Sequence, residues 1–470
     1  MTLNTPILWV LLPLLVAVVT GVLYQRREAG ILITIITAFG LSLLAAFFPE
    51  SMEMSIGPIE LIFEDSLGLL GRQITLRYEI LPFISFIYAV TGLWTLGSGI
   101  PGVPVTFRPI SLVITALLTA TLGVQPFLYA ALLIQTAVMV SIPILSTGDP
   151  DENPGLMRYL GLQTLAMPLI LLAGWLLAGV EILPPDSALV FQTIMVLGLG
   201  FALMMGVFPF HSWIPMISRR GHPKVVSYLL FILPTTMVIF GLNFLNRYAF
   251  LRGTPEIFDT LRLSGVLMIV IGGAWTAVQG DIKRAFGFAV ISETGFSLLA
   301  AGLLREGGLT WLMVLLPVRA LGFWLWSHSI TLIEQRVDSL SSADLSGLAR
   351  RFPVLAIGLL GAQLSIAGLP LLASFPFKFS IISATIELQN SLGTWAFIGN
   401  LGLFIFSIRL LARFVSPDSS EFTFGWQVLE QKHEFIPIVL MLLVLIILGL
   451  FPSAFPSRVV GTLAAFAQLQ

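Results

Sequence analysis

Apolar runs of about 18–25 residues recur along this chain, roughly fourteen in all. They lie near 7–25, 29–48, 79–97, 107–122, 124–146, 157–180, 190–208, 224–245, 262–279, 284–304, 308–332, 352–380, 391–413 and 435–455. A bilayer core about 30 Å thick is crossed by about 20 helical residues, so each run is a candidate span. Of the 470 residues, 57% are hydrophobic and 10% are charged. That leaves too little polar surface for a soluble body of this size. The pattern predicts an all-α polytopic membrane protein in contact with lipid. The first run has no basic segment before it and is too long for a signal peptide, so it reads as a retained span.

What lies between the runs narrows the function. The chain has no cysteine, which excludes disulfides and thiolate-held metal or iron–sulfur centres. The four histidines are scattered without metal-ligand spacing, and the net charge of −1 points to no nucleic-acid partner. Neither GxGxxG nor a P-loop occurs, so no nucleotide or other cofactor is expected on this chain. Basic residues Arg26, Arg27, Arg108, Arg219, Arg220, Lys224, Lys283, Arg284, Arg336, Arg350, Arg351 and Arg413 fall on alternate loops. That side is therefore cytoplasmic, and the acidic loop 49–78 faces outward. Within this loop Ile59–Phe63 and Gln73–Tyr78 read as the two arms of a small hairpin.

Two runs are interrupted by helix breakers. Phe208–Val226 holds Pro209, Pro215 and Pro223 with His211 and His222; Ala367-Gly-Leu-Pro370 is followed by Phe375-Pro-Phe-Lys378. Broken helices inside a membrane frame hydrated ion sites, and two in corresponding places indicate two related halves. Charges within the runs are the next signal, because each costs about 2.5–3.5 kcal/mol to insert. Lys378 sits eight residues past Pro370, either as a titratable cation on a polar path or as a lysine snorkelling from a helix end. Arg319, after Pro317, cannot shed its proton and either pairs with an acid or orders water. Glu293, about 15 Å deeper than Lys283 along one helix, is either Arg319's ion-pair partner or a proton relay. His211 either relays protons or caps its broken helix. His328, His222 and His433 read as solvated, the cluster Arg219–Lys224 as a topology determinant, and Lys283 and Arg284 as cytoplasmic-side anchors.

Four of these segments together resemble a known family. Phe208-Pro-Phe-His-Ser-Trp-Ile-Pro215 with His222-Pro-Lys-Val-Val-Ser-Tyr-Leu-Leu230 resembles "PFHxWLP…APxxVSALL". Asp281-Ile-Lys-Arg-Ala-Phe-Gly-Phe-Ala-Val-Ile-Ser-Glu-Thr-Gly295 resembles "DIKRxxAYSSIxxxG". Leu345-Ser-Gly-Leu-Ala-Arg-Arg-Phe-Pro353 resembles "GLxxxxP", and Gly368 to Lys378 resembles "GxPxxxxFxxK". These signatures belong to the antiporter-like membrane subunits of respiratory complex I, Mrp cation/proton antiporters and membrane-bound hydrogenases. The resemblance covers about 80–415. It implies 14 helices with two inverted five-helix repeats, each holding a broken helix. The corresponding units are 1–106 (N-terminal helices and loop), 107–246 and 247–415 (the repeats) and 416–470 (a loop and last helix).

The resemblance also shows what is missing. The glutamate expected on the fifth helix is Gln135, the lysine expected seven residues before His211 is Met204, and the histidine expected after the VSALL segment is Phe231. A lysine expected on span 308–332 is Arg319, while Lys378 is kept. Coulombic coupling of a glutamate and a lysine is the family's supposed means of moving protons. The first half thus loses its switch and the second keeps a charged set. The expectation is a membrane subunit of a complex I-like assembly (NADH or ferredoxin:quinone oxidoreductase type). It would carry protons or Na+ through Lys378, Arg319 and Glu293, with redox chemistry and quinone on other subunits. One alternative is a non-pumping scaffold paralogue; another is a stand-alone secondary transporter. The bacterial plasma membrane is the expected location, a thylakoid the other candidate.

Overall fold

A computed structural model gives the architecture and describes residues 2–49, 53–56, 59–69, 71–146, 153–180, 187–337, 340, 345–416, 432–454 and 462–469. Among the described residues ten helices are long and apolar enough to cross a membrane. Four further apolar helices are shorter: Ile7–Val22, Phe107–Gly123, Pro353–Ala367 and Glu434–Leu450. The first half of the chain contributes α1 (Leu12–Val22), α2 (Arg27–Ala46), α3 (Leu81–Leu96), α4 (Phe107–Gly123), α5 (Ala130–Leu145), α6 (Pro154–Val180), α7 (Ala188–Met205), α8 (Trp213–Arg220) and α9 (Pro223–Arg247). Then follow α10 (Ala249–Gly253), α11 (Pro255–Val278), α12 (Ile282–Gly302), α13 (Gly308–Glu334), α14 (Leu348–Arg351), α15 (Pro353–Ala367), α16 (Phe375–Leu388), α17 (Asn390–Val415) and α18 (Lys432–Leu450).

A helix that is apolar on every side is stable only where protein or lipid surrounds it. The core helices are α9, α12 and α13, whose most apolar windows are 94%, 100% and 78% buried. The outer helices turn Trp175, Phe191, Trp275, Trp395 and Ile408 outward, as contact with hydrocarbon requires. Helix α11 packs against α12 on one side and α17 on another. Its crossing with α17 runs through Gly273, Gly399 and Gly402, where a Cβ at Gly273 would collide with the Gly399 carbonyl oxygen. Small residues let two backbones meet without a side chain between them.

Two chain breaks share one geometry. Helix α7 ends at Gly206 (φ +64) and α15 at Gly368 (φ +82), both left-handed. At each, the next amide reaches back five residues: Val207 N to Ala202 O at 2.8 Å and Leu369 N to Leu364 O at 3.0 Å. This is the Schellman end, which a glycine permits and which closes some of the open carbonyls of the last turn. After each break a second piece resumes, α8 and α16. The second piece reaches Leu388, eight residues past the end read from the apolar run.

The basic loops gather at one end of the bundle. Arg108 Nη1 donates to the Arg27 carbonyl at 2.5 Å, and Arg27 donates to the carbonyls of Gly99 and Ile100 at 3.0 and 2.9 Å. Arg219 pairs with Asp281, Lys283 with Glu334 and Arg336 with Glu434. The other end carries two three-stranded sheets. In one, β3 (Ile59–Glu64) lies between β1 (Thr2–Asn4) and β2 (Glu53–Ile56); in the other, β5 (Arg72–Thr75) lies between β4 (Ser66–Leu69) and β6 (Val124–Gln125). The segments Ile59–Phe63 and Gln73–Tyr78 are therefore arms of two hairpins and do not pair with each other. The second turns at Gly71 (φ +72), a tight reversal that leaves β4 as the partner of β5. Most of the loop assigned to 416–470 lies outside the described residues.

The glycine crossing yields a test. Gly273→Ala should lower the apparent melting temperature of the purified protein by several degrees, because α11 and α17 must move apart. Gly198→Ala, which meets nothing within 4 Å, should leave it unchanged. Equal melting temperatures for both variants would contradict the crossing.

Candidate functional site

Three charged side chains meet in the second half. Glu293 comes from the middle of α12, Arg319 from α13 and Lys378 from the first turn of α16. All three are buried, with side-chain exposures of 3–5%. Arg319 donates Nε to Glu293 Oε2 at 2.8 Å, Nη2 to the Glu293 carbonyl at 2.7 Å and Nη1 to Ser297 Oγ at 2.9 Å. Lys378 Nζ donates to Glu293 Oε1. All three guanidinium nitrogens thus donate, whereas the ammonium holds a single carboxylate oxygen. Of the two sequence readings for Glu293, ion-pair partner of Arg319 or proton relay, the pairing is present, and the same carboxylate also accepts from Lys378.

The broken helix supplies the rest. The last three carbonyls of α15 each accept a side-chain donor. Ser374 Oγ donates to Ser365 O, Lys378 Nζ to Ile366 O, and Asn400 Nδ2 to Ala367 O at 2.8 Å. A helix C-terminus carries partial negative charge, so a cation there is favoured. The Phe296 ring lies 4.3 Å from Lys378 Nζ and adds a cation–π contact. Lys378 is therefore not a snorkelling lysine. The cavity beside Glu293, Arg319, Gly322 and Ser374 measures about 10 Å³, room for about one water. Ser297, Ser374, Asn400 and Phe296 were not singled out from the sequence. Serines and phenylalanines abound in such spans, and only Asn400, an amide inside an apolar run, carried a signal.

The first half has the same frame without the charges. Gln135 on α5 donates Nε2 to Thr164 Oγ1 of α6 at 2.9 Å. Gln163, also on α6, donates to the Met204 carbonyl at 2.7 Å, closing one open carbonyl at the end of α7. Met204 itself is buried. His211 sits in the short turn Phe210–Ser212, its ring 5.6 Å from that of Phe208 and its Nδ1 buried without a partner among the described residues. No side chain caps that turn or α8, so His211 does not cap the break. It lies in the first half, apart from the triad.

At the end where basic loops gather, the cluster read as uniform splits. Arg219 is exposed and pairs with Asp281 at 3.3 Å. Lys224 is fully buried, with Nζ 3.2 Å from Nδ1 of His328, which is buried too. Burial under the turn after α3 thus corrects the reading of both as solvated or topogenic. His222 is the N-cap of α9, its Nδ1 accepting the Lys224 backbone N–H at 3.2 Å. His433, read as a loop residue, lies within α18. Lys283 is largely covered and pairs with Glu334 at 2.9 Å, while Arg284 is exposed beside the N-cap Asp281.

Because Glu293 serves two cations, the single substitutions should not be equivalent. Glu293→Gln leaves two buried cations facing each other and should destabilise by about 3–5 kcal/mol. Arg319→Met or Lys378→Met leaves a neutral pair and should cost clearly less. The double variant Glu293→Gln/Lys378→Met should recover part of the loss. Reversible unfolding in mixed micelles reads the order; equal losses for the three single variants would refute a shared carboxylate.

Known proteins share the fold that frames this site. A family model described as "NADH:quinone oxidoreductase/Mrp antiporter, TM" matches residues 180–405. The NADH-quinone oxidoreductase subunit N of Cytophaga hutchinsonii is 24% identical over 281 residues, 59% of this chain and 60% of that protein. The subunit N of Maricaulis maris is 30% identical over 191 residues, 40% of this chain and 39% of that protein. The aligned stretches thus span about half the length of the curated relatives. A chain of the archaeal membrane-bound sulfane sulfur reductase superposes with a TM-score of 0.82 at 15% identity, covering 99% of this chain and 97% of that one. A chain of respiratory complex I from Thermus thermophilus gives 0.76 at 20%, covering 97% and 99%, and one of the Mrp complex from Dietzia gives 0.80 at 16%, covering 98% and 97%. Both breaks and the buried triad lie inside residues 180–405, the stretch that matches the NADH:quinone oxidoreductase/Mrp antiporter family model, and over nearly its whole length the chain shares the fold of chains in these membrane complexes.

Proposed function

We propose that the chain is a membrane subunit of a complex I-like assembly and translocates protons, or Na+ in their place, through its second half. Electron transfer, with any cofactor and the quinone, belongs to other subunits of that assembly, which would contact the lipid-facing helices. The bacterial names of the relatives favour a bacterial plasma membrane. The repeat units 107–246 and 247–415 belong to this reading, supported by the Schellman-ended break in each.

The observation that carries it is the Lys378–Glu293–Arg319 triad at the end of α15. Arg319 keeps its proton in any protein setting, so it fixes Glu293 in place and does not relay. Glu293 and Lys378 are the pair that exchanges. A proton delivered to Glu293 cancels the charge that holds Lys378. The ammonium then keeps only the Ile366 carbonyl and the Phe296 ring, and can turn away with α16. The break in the helix is the hinge that lets it do so. Loss of the proton from Glu293 draws Lys378 back.

The scaffold reading has its own support. Gln135 and Met204 leave the first half without a titratable axis, and the triad's cavity holds about one water. Proton flux in vesicles containing the assembled complex separates the two. On the transport reading Lys378→Met lowers flux by roughly 100-fold while the complex still assembles on a native gel. Unchanged flux in an assembled Lys378→Met complex would refute passage through the triad and leave the scaffold role.

A further inference from the structure

A second buried cation lies outside the triad. Lys224 projects from the first turn of α9, and its side chain is wholly buried. Its Nζ is 3.2 Å from His328 Nδ1 on α13 and 4.6 Å from the centroid of the Trp324 ring. Trp324 and His328 stack at 4.7 Å with 13° between their planes, and Trp324 Nε1 donates to the Leu93 carbonyl at 2.6 Å. The turn after α3 closes over the amine: a Cβ at Gly97 would collide with Lys224 Nζ. That turn is itself held, by Arg27 on the carbonyls of Gly99 and Ile100 and by Gln335 on the Pro101 carbonyl at 3.0 Å.

No acid answers Lys224: among the described residues it makes no ion pair. The charged and titratable groups around it are His328 on α13, His222 at the start of α9, Arg27 and Arg108 behind the turn, and the Lys283–Glu334 pair on α12 and α13. Glu334 already serves Lys283. A cation at a helix N-terminus also opposes the dipole. Two basic nitrogens in contact, buried and without an anion, cannot both be charged. With Lys224 as donor, Nδ1 of His328 is the acceptor, which places the ring hydrogen on Nε2. That Nε2 is buried and has no partner among the described residues.

We propose that Lys224 and His328 form a single-proton site, a buried amine–imidazole pair at the end of the bundle where the basic loops gather. An N–H bond on Lys224 breaks as Nδ1–H forms, leaving a neutral amine beside an imidazolium, and the reverse transfer restores the ammonium and the neutral ring. His328 lies nine residues from Arg319 on one helix, about 13 Å along its axis. As a station toward the triad the pair rests on the transport reading; as a proton-holding pair it stands on its own geometry.

The chain has four lysines and four histidines, so ¹⁵N-lysine and ¹⁵N-histidine spectra of the full chain in nanodiscs stay readable. In the wild type, the Lys224 Nζ and His328 ring signals should change together through one pH transition. Lys224→Met should shift the His328 midpoint by about one pH unit or more. Gly97→Ala, which displaces the amine and keeps both groups, should move the same signals. Independent titration of the two in the wild type overturns the shared proton without any variant. Coupled titration with wild-type flux in the assembled Lys224→Met complex overturns the station and leaves the pair.

Discussion

A helix broken inside an apolar interior leaves backbone carbonyls with no water to accept, and the second half of this protein is arranged around satisfying them. Each orphan acceptor costs several kcal/mol in hydrocarbon. Ser374, Lys378 and Asn400 take the carbonyls of Ser365, Ile366 and Ala367. One of these donors is an ammonium, so a counter-charge must follow, and Glu293 provides it. A carboxylate at that depth is held by a second cation, Arg319, whose remaining hydrogens reach Ser297 and the Glu293 carbonyl. The break, the lysine, the acid and the arginine form a chain of consequences in which each member answers the one before.

The first half meets the same backbone problem without charge. Helix α7 ends on the same left-handed glycine and the same five-residue return bond as α15. Its open carbonyl at Met204 takes a neutral amide from Gln163, and Gln135 is satisfied by Thr164. With no cation at the break there is no need for an acid, and none of these three groups titrates. The scaffold thus survives the loss of the chemistry, because the Schellman end and a neutral donor suffice to close a helix. Fold similarity at 15–20% identity to chains of three respiratory or antiporter complexes speaks for that shared backbone and not for shared ion paths.

The sequence made legible what depends on local pattern. Apolar runs located the helices, and Gly368, Pro370 and the Pro209–Pro215 segment located the breaks, because helix breakers act on their own neighbourhood. Lys378, Arg319 and Glu293 stood out because charge inside an apolar run is rare whatever it touches. What depends on the third dimension was hidden. Lys224 has the same basic flank as Arg219 and Arg220, and only the turn after α3, over 120 residues earlier, makes it a buried group. His328 looked solvated because it lies two turns from a helix end, yet Trp324 and Lys224 enclose it. The strand pairing was misread for a related reason: both segments of loop 49–78 have strand character, but each pairs with its own neighbour in the loop, β2 or β4, and with a strand far away in the chain, β1 or β6.

The two buried cationic centres differ in a way that bears on how a proton could move between them. The triad carries two cations and one acid; the pair of Lys224 and His328 carries two bases and no acid. Each is limited to a net charge of +1 in its resting state, and each gives up that state only by exchanging a proton or by moving a side chain. On the transport reading the member that moves is the ammonium on α16, just past the helix break, so charge would be displaced by motion. In the pair both members sit on continuous helices under a pinned turn, so charge can be displaced only by proton transfer between them. A path joining them must therefore change mode on α13, where Arg319 and His328 stand on the same rigid helix. On that reading α13 would be the fixed element against which α16 moves.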